Sequence, residues 1–320
     1  MGSTIQELRK NLRGVVIAMI TPMHDDYSLN LEGLRDNIQK AIDAGIVNGR
    51  GGFIIGGGGG EMAHLTIEER VTIVETAVKA ANGRAPILGG VQDSGTALSI
   101  DVAKRMQDVG ADGIQLGQPY FYDRHTEDDF YRYFAEMNEA LDLGIAIYNT
   151  HWRAPNISSH LLEKLADLPN VFACKWCSPS LAEYRQGFIV CRDKINMIDN
   201  GGDIIGVYPF GACGFISGTG DFWPEYDLKT WDAIERGDYA TAAKRLEQLN
   251  IPYYAFRLKI SGRTGGEAPV KKPAAALCGR AAGPVRSPCR DLTAEELEEL
   301  KALFRTAGVP LSSLGPAKRS

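Results

Sequence analysis

The chain has 320 residues, 44% of them hydrophobic and 23% charged, with a formal net charge of −5. That balance excludes a disordered polymer and a membrane-embedded bundle, and it carries no basic excess of the kind a nucleic-acid footprint needs. Glycine is the anomaly: 36 residues, above the usual share of about 7% and without a collagen-like period, so the excess marks turns or close backbone approaches.

From the amino terminus, MGSTIQELRKNLRG has no apolar core and does not read as a signal peptide. Met1-Gly2 with Ser3 matches a myristoylation signal only in part. Apolar, β-rich runs then recur at Gly14–Thr21, Gly51–Gly56, Pro86–Val91, Ala111–Leu116, Gly144–Tyr148, Val171–Lys175, Ile195–Ile198 and Gly214–Ser217. Several are apolar on both faces, as parallel strands covered by helices are. Amphipathic stretches fill the intervals: Asn30–Ala44, a helix capped by Thr66 with Glu69 and running through Ala81, then Leu98–Val109, Thr126–Ala140, Ser158–Ala166 and Ser180–Val190. Eight strands alternating with helices predict an α/β fold, a (β/α)8 TIM barrel. The rival, a doubly wound open sheet, would need a dinucleotide or phosphate fingerprint that the chain lacks.

After Ser217 only helical stretches follow: Trp231–Arg236, Tyr239–Leu249, Ala274–Leu277 and Thr293–Ala307. Residues 12–224 are thus expected to form the barrel core, and 225–308 the last barrel helix and a C-terminal α-helical extension of the same domain. Residues 309–320 read as a flexible tail. No apolar run exceeds strand length, so no membrane span is expected and a cytoplasmic location is the default. Of six cysteines only Cys174 and Cys177 form a CxxC, with no second pair or histidine to complete a zinc set. They read as small buried residues in a reducing compartment.

Three local features carry chemistry. Lys175 ends the apolar strand VFACK; burial disfavours an ammonium, and a neutral amine can attack a ketone to form a Schiff base. The alternatives for it are snorkelling or pairing with a carboxylate. Tyr148 also ends a strand and could shuttle a proton, or be a core tyrosine. Arg153, five residues on, could clamp a carboxylate in bidentate fashion, or be a solvated surface group. Gly56–Gly60 followed by Glu61 is a loop whose N–H groups could cradle an anion, or a merely flexible connection.

Taken together, GGGGGEMAHLTIEER, ADGIQLGQPYFY, IYNTHWR, FACKW, GACGFISG and GPVRSP resemble the dihydrodipicolinate synthase/N-acetylneuraminate lyase family over roughly residues 12–306. The resemblance implies a class I, Schiff-base-forming barrel acting on pyruvate or a related 2-keto acid, commonly a homotetramer built of homodimers. It implies Lys175 as the Schiff-base lysine and Tyr148 as its proton relay. Gly58 and Gly59 stand where the family loop usually carries two hydroxyl residues that bind the keto-acid carboxylate. Phe121 aligns with a tyrosine contributed across a dimer contact, flanked here by Tyr120 and Tyr122. Arg153 matches the arginine that holds the second substrate's carboxylate, and His151 with Trp152 departs from the usual small or proline residues and reshapes the pocket.

The expected function is a lysine-dependent lyase or aldolase that makes or breaks a carbon–carbon bond of a 2-keto acid, with an aldehyde or sugar acid as the second substrate. No metal or diffusible cofactor is expected, nor any nucleic-acid or membrane partner. Two other readings stand beside it. One is a hydro-lyase acting on a deoxy sugar acid or 2-keto acid; the other is a non-catalytic keto-acid-binding sensor or scaffold.

Overall fold

Eight short parallel strands close on themselves in sequence order: β1 (Gly14–Ala18), β2 (Gly51–Ile55), β3 (Ile87–Val91), β4 (Gly113–Gly117), β5 (Gly144–Tyr148), β6 (Val171–Trp176), β7 (Asn196–Asp199) and β8 (Ala212–Ser217). The closing pair is β1 with β8, in register from Gly14 opposite Gly214 to Ile17 opposite Ser217. The computed structural model describes residues 3–120, 125–149, 151–152 and 154–312.

The first seven helices are α1 (Ile5–Asn11), α2 (Leu31–Asp43), α3 (Ile67–Ala81), α4 (Thr96–Asp108), α5 (Glu127–Ala140), α6 (Ser159–Leu165) and α7 (Leu181–Cys191). A single turn, α8 (Ile204–Val207), follows β7, and α9 (Pro224–Glu235) follows β8. The extension comprises α10 (Tyr239–Arg245), α11 (Ile251–Ser261), α12 (Ala268–Leu277) and α13 (Ala294–Ala307). Thr66 and Glu69 form the capping box expected of them at the start of α3.

Four elements of the sequence reading change. The helices expected to begin at Trp231 and Ala274 begin earlier, at Pro224 and Ala268, where a proline takes an early helical position whose N–H has no partner to lose. The stretch expected to end at Leu249 instead runs through a π turn, Leu246–Asn250, into α11. Pro252 has no N–H to give to the ladder, so the helix widens there instead of stopping. The amino terminus, read only as not being a signal peptide, is helical. Thr4 and Glu7 cap α1 reciprocally, and Leu8 and Leu12 are inserted into the amino-terminal mouth of the barrel. A Cβ on Gly144 would stand 2.4 Å from Leu8 Cδ1, so the plug needs glycine at the start of β5.

Period-two alternation divides the strands into two cores. Val16, Ala18, Ile54, Leu88, Ala146, Ala173 and Ile198 point inward with Leu8, Leu12 and Phe172, whereas Ile17, Phe53, Ile114, Ile147 and Cys174 pack under the helices. A third cluster around Phe222, Tyr253, Val270, Leu300 and Phe304 holds the extension together. With α1 sealing one mouth, the carboxyl ends of the strands are the open side. Among the described residues no helix is long and apolar enough to cross a membrane.

Candidate active site

Parallel pairing sets Tyr148 on β5 beside Lys175 on β6 as register partners, one layer above the inward pair Ala146 and Ala173. Lys175 is 8% exposed and Tyr148 4%. The amine lies over the face of the phenol ring, with Nζ 3.9 Å from the ring centroid. A cation on an aromatic face is held electrostatically, most strongly where water is excluded.

A carboxamide network fixes the backbone above this pair. Asn149 donates to the carbonyl of Cys177 at 2.7 Å and to Asn156 Oδ1 at 2.9 Å, and its own oxygen accepts from Gln118 Nε2 at 2.8 Å. The carboxyl ends of β4, β5 and β6 are thereby tied together. Sequence reasoning passed over Asn149 and Gln118, because only their position at the strand ends distinguishes them from ordinary loop amides. Cys177 donates to the carbonyl of Asn149 at 3.0 Å, and burial pushes its thiol up to about 11. Cys174 is fully buried and its thiol is likewise raised by desolvation, so the CxxC is a pair of packed thiols.

The glycine loop follows β2, four strands from β6 and therefore across the mouth of an eight-stranded barrel. It turns on itself: Gly60 N–H donates to the carbonyl of Gly57 at 3.1 Å, Met62 N–H to the same oxygen at 3.3 Å, and Glu61 N–H to the carbonyl of Gly58 at 3.4 Å. The N–H groups of Gly58 and Gly59 donate to nothing among the described residues. Successive N–H groups without an internal acceptor are the donors an anion-binding nest requires. The backbone packs tightly, since a Cβ on Gly90 of β3 would stand 2.2 Å from the carbonyl oxygen of Gly56. Beneath the loop the Gln115 carboxamide is fully buried with neither end hydrogen-bonded.

Helix α12 contributes two residues that sequence reasoning missed. Lys271 and Lys272 are 1% and 0% exposed. Lys272 pairs with Glu61 and donates to the carbonyl of Pro284 at 2.7 Å; burial lowers its pKa against the pull of Glu61. Glu61 holds a left-handed conformation, φ +58°, and accepts Arg286 N–H at 3.0 Å. The signal was present as two lysines inside the otherwise apolar APVKKPAAAL.

Of the other expected site residues, His151 is half-buried with its ring 4.9 Å from that of Trp152, which lies edge-on 6.5 Å from Tyr148. Tyr120 is 44% exposed. Phe121 and Arg153 lie outside the described residues. No group of three or more His, Cys, Asp or Glu side chains among the described residues is arranged to hold a metal ion.

Comparison with known proteins agrees with this architecture. The model of the dihydrodipicolinate synthetase family matches residues 11–307. The chain is 30% identical over 300 residues to the 4-hydroxy-tetrahydrodipicolinate synthase of Methanoculleus marisnigri, covering 92% of this chain and 99% of that protein. It is 29% identical over 296 residues to that of Methanospirillum hungatei, covering 91% and 98%. Among solved structures, YagE of E. coli K12, a prophage protein crystallised with pyruvate, superposes with a TM-score of 0.83 at 26% identity, covering 93% of this chain and 99% of that one. The dihydrodipicolinate synthase of Aquifex aeolicus gives 0.82 at 25%, covering 94% and 100%. With a family match that spans nearly the whole chain and a barrel that superposes on those of its relatives, this chain belongs to the dihydrodipicolinate synthetase family.

Proposed function

We propose that the protein is a lysine Schiff-base aldolase or lyase acting on pyruvate or a related 2-keto acid. The observation that carries the reading is the Lys175 amine lying on the ring of Tyr148, across the barrel mouth from the two unpaired glycine N–H groups. Nζ, having given up one proton, attacks the keto carbon as a neutral amine, and the carbinolamine takes up a proton and loses water to give an iminium. The iminium accepts the electron pair when the bond between the α-carbon and the carbinol carbon breaks, leaving an enamine and an aldehyde; in reverse the enamine carbon attacks the aldehyde and the iminium is restored. Tyr148 carries the proton to and from the hydroxyl at that bond. The N–H groups of Gly58 and Gly59 hold the carboxylate, and His151 borders the space for the second substrate. Arg153 is assigned to that substrate's carboxylate by family resemblance, as Phe121 and Tyr120 are to the subunit contact of a homodimer or homotetramer. The covalent iminium supplies the electron sink, so the reading calls for no diffusible cofactor.

Borohydride reduction with pyruvate, read by mass spectrometry, tests this directly. An adduct on Lys175 is expected, and its absence would sink the reading. A second reading, loss of water from a deoxy sugar acid through the same iminium, draws on the missing hydroxyls at positions 58 and 59. Release of pyruvate from an aldol substrate separates the two, and trapping without turnover on any keto-acid or sugar-acid substrate would favour a sensor.

A further inference from the structure

Lysine is almost never fully buried unless it is paired, so two adjacent buried lysines on α12 each require an account. Lys272 has one, as the counter-charge of Glu61 at the far end of the glycine loop. Lys271 points elsewhere. Its Nζ lies 2.7 Å from Asp221 Oδ2 in the loop after β8 and donates to the carbonyl of Ala18 at the end of β1. The other oxygen of Asp221 accepts Ile20 N–H at 2.8 Å, which fixes the carboxylate in turn. An ammonium has three donors, and the third has no acceptor among the described residues.

The same Nζ stands 2.7 Å from the point a Cβ on Gly59 would occupy, and Lys271 Cδ stands 3.3 Å from it. The ammonium thus fills the volume that a side chain at position 59 would claim. It lies against the peptide that presents one of the two unpaired loop N–H groups. Thr21 Oγ1 holds the carbonyl of Gly60 at 2.7 Å, so the loop is pinned just beyond that point.

We infer that Lys271 is a positioning residue for the keto-acid carboxylate: its ammonium, held by Asp221 and packed against Gly59, occupies the space of a loop side chain and fixes the Gly59 peptide whose N–H takes the carboxylate. The inference rests on the Schiff-base reading above and adds to it a residue from the C-terminal extension. It also gives position 59 a reason to be glycine, since any side chain there competes with the ammonium for space.

The test compares two ketones in the borohydride reaction on Lys175: pyruvate, and acetone, which has the ketone without the carboxylate. The variant is K271M with D221N, because removing the lysine alone would strand a buried carboxylate. The pyruvate concentration giving half-maximal trapping should rise tenfold or more, equivalent to about 1.4 kcal/mol, while acetone trapping stays as in the native protein. K271Q with D221N, which keeps a hydrogen-bonding end in place of the ammonium, should shift pyruvate in the same direction, and it carries the test if the first double variant does not fold. Pyruvate trapping within twofold of native in a folded variant would overturn the assignment. Equal losses with both ketones would overturn it too, since they would place the damage at Lys175. A native protein that traps neither ketone would remove the Schiff-base reading itself, and this inference with it.

Discussion

Replacing Tyr148 with phenylalanine removes the hydroxyl and keeps the ring. The ring under the Lys175 amine, 3.9 Å from Nζ, is retained, and with it a cation–π attraction of about 0.5–2 kcal/mol. The side chain is 4% exposed, and phenylalanine fills nearly the same volume, so the melting temperature should shift by no more than about 1 kcal/mol of stability would produce. Proton transfer through the hydroxyl is lost. That contribution is typically about 10²–10⁴-fold, or roughly 3–5 kcal/mol on the barrier at about 1.4 kcal/mol per decade. Tyr148→Phe should therefore still form a borohydride-trappable adduct with pyruvate while turnover in aldol cleavage falls by at least about 10². Tyr148→Ala, by contrast, opens a cavity costing about 3–5 kcal/mol and should weaken both. Turnover of Tyr148→Phe within threefold of native would refute the relay. Loss of trapping in that variant would show that the hydroxyl serves the lysine before any bond is broken.

Three further outcomes follow from particular contacts. Gly90→Ala drives a methyl against the backbone of Gly56, whose carbonyl oxygen is 2.2 Å from the new Cβ. It should cost about 1–3 kcal/mol in urea denaturation and displace the glycine loop, so that pyruvate trapping weakens as well. Thr66→Ala removes the capping box of α3 and should cost about 1 kcal/mol. Because Glu69 of that box also meets Arg286 at 2.6 Å, proteolysis should begin in the segment around Arg286. Asp199, at the end of β7, is pushed up to about 6 by desolvation, against hydrogen bonds from Tyr184 and the N–H groups of Gly201 and Gly202. The folded form binds this proton more tightly than the unfolded chain, whose carboxyl keeps the ordinary value of 3.8. Its stabilising contribution is therefore full below about pH 4 and lost as the pH rises through about 6. Denaturation midpoints across that window should fall more steeply for the native protein than for Asp199→Asn, and parallel slopes would exclude Asp199 as the source.

The sequence by itself determined the order of the eight strands, because strands buried on both faces must read as continuous apolar runs between helical stretches. It also singled out Lys175 and Tyr148, since a charged or hydroxylated residue closing such a run is conspicuous. Gly56–Gly60 stood out for its composition, but whether its N–H groups were free to bind an anion was undecided, because that depends on which carbonyls the loop folds back upon. In the tertiary structure the N–H groups of Gly58 and Gly59 meet no acceptor among the described residues, while those of Gly60, Glu61 and Met62 close the turn. Tertiary structure alone also placed α1 in the barrel mouth and brought Lys271 to Gly59, more than two hundred residues away in the chain. Strand and helix periods are local and written in neighbouring residues, whereas the counter-charge of a buried ammonium is fixed only when distant segments share one interior.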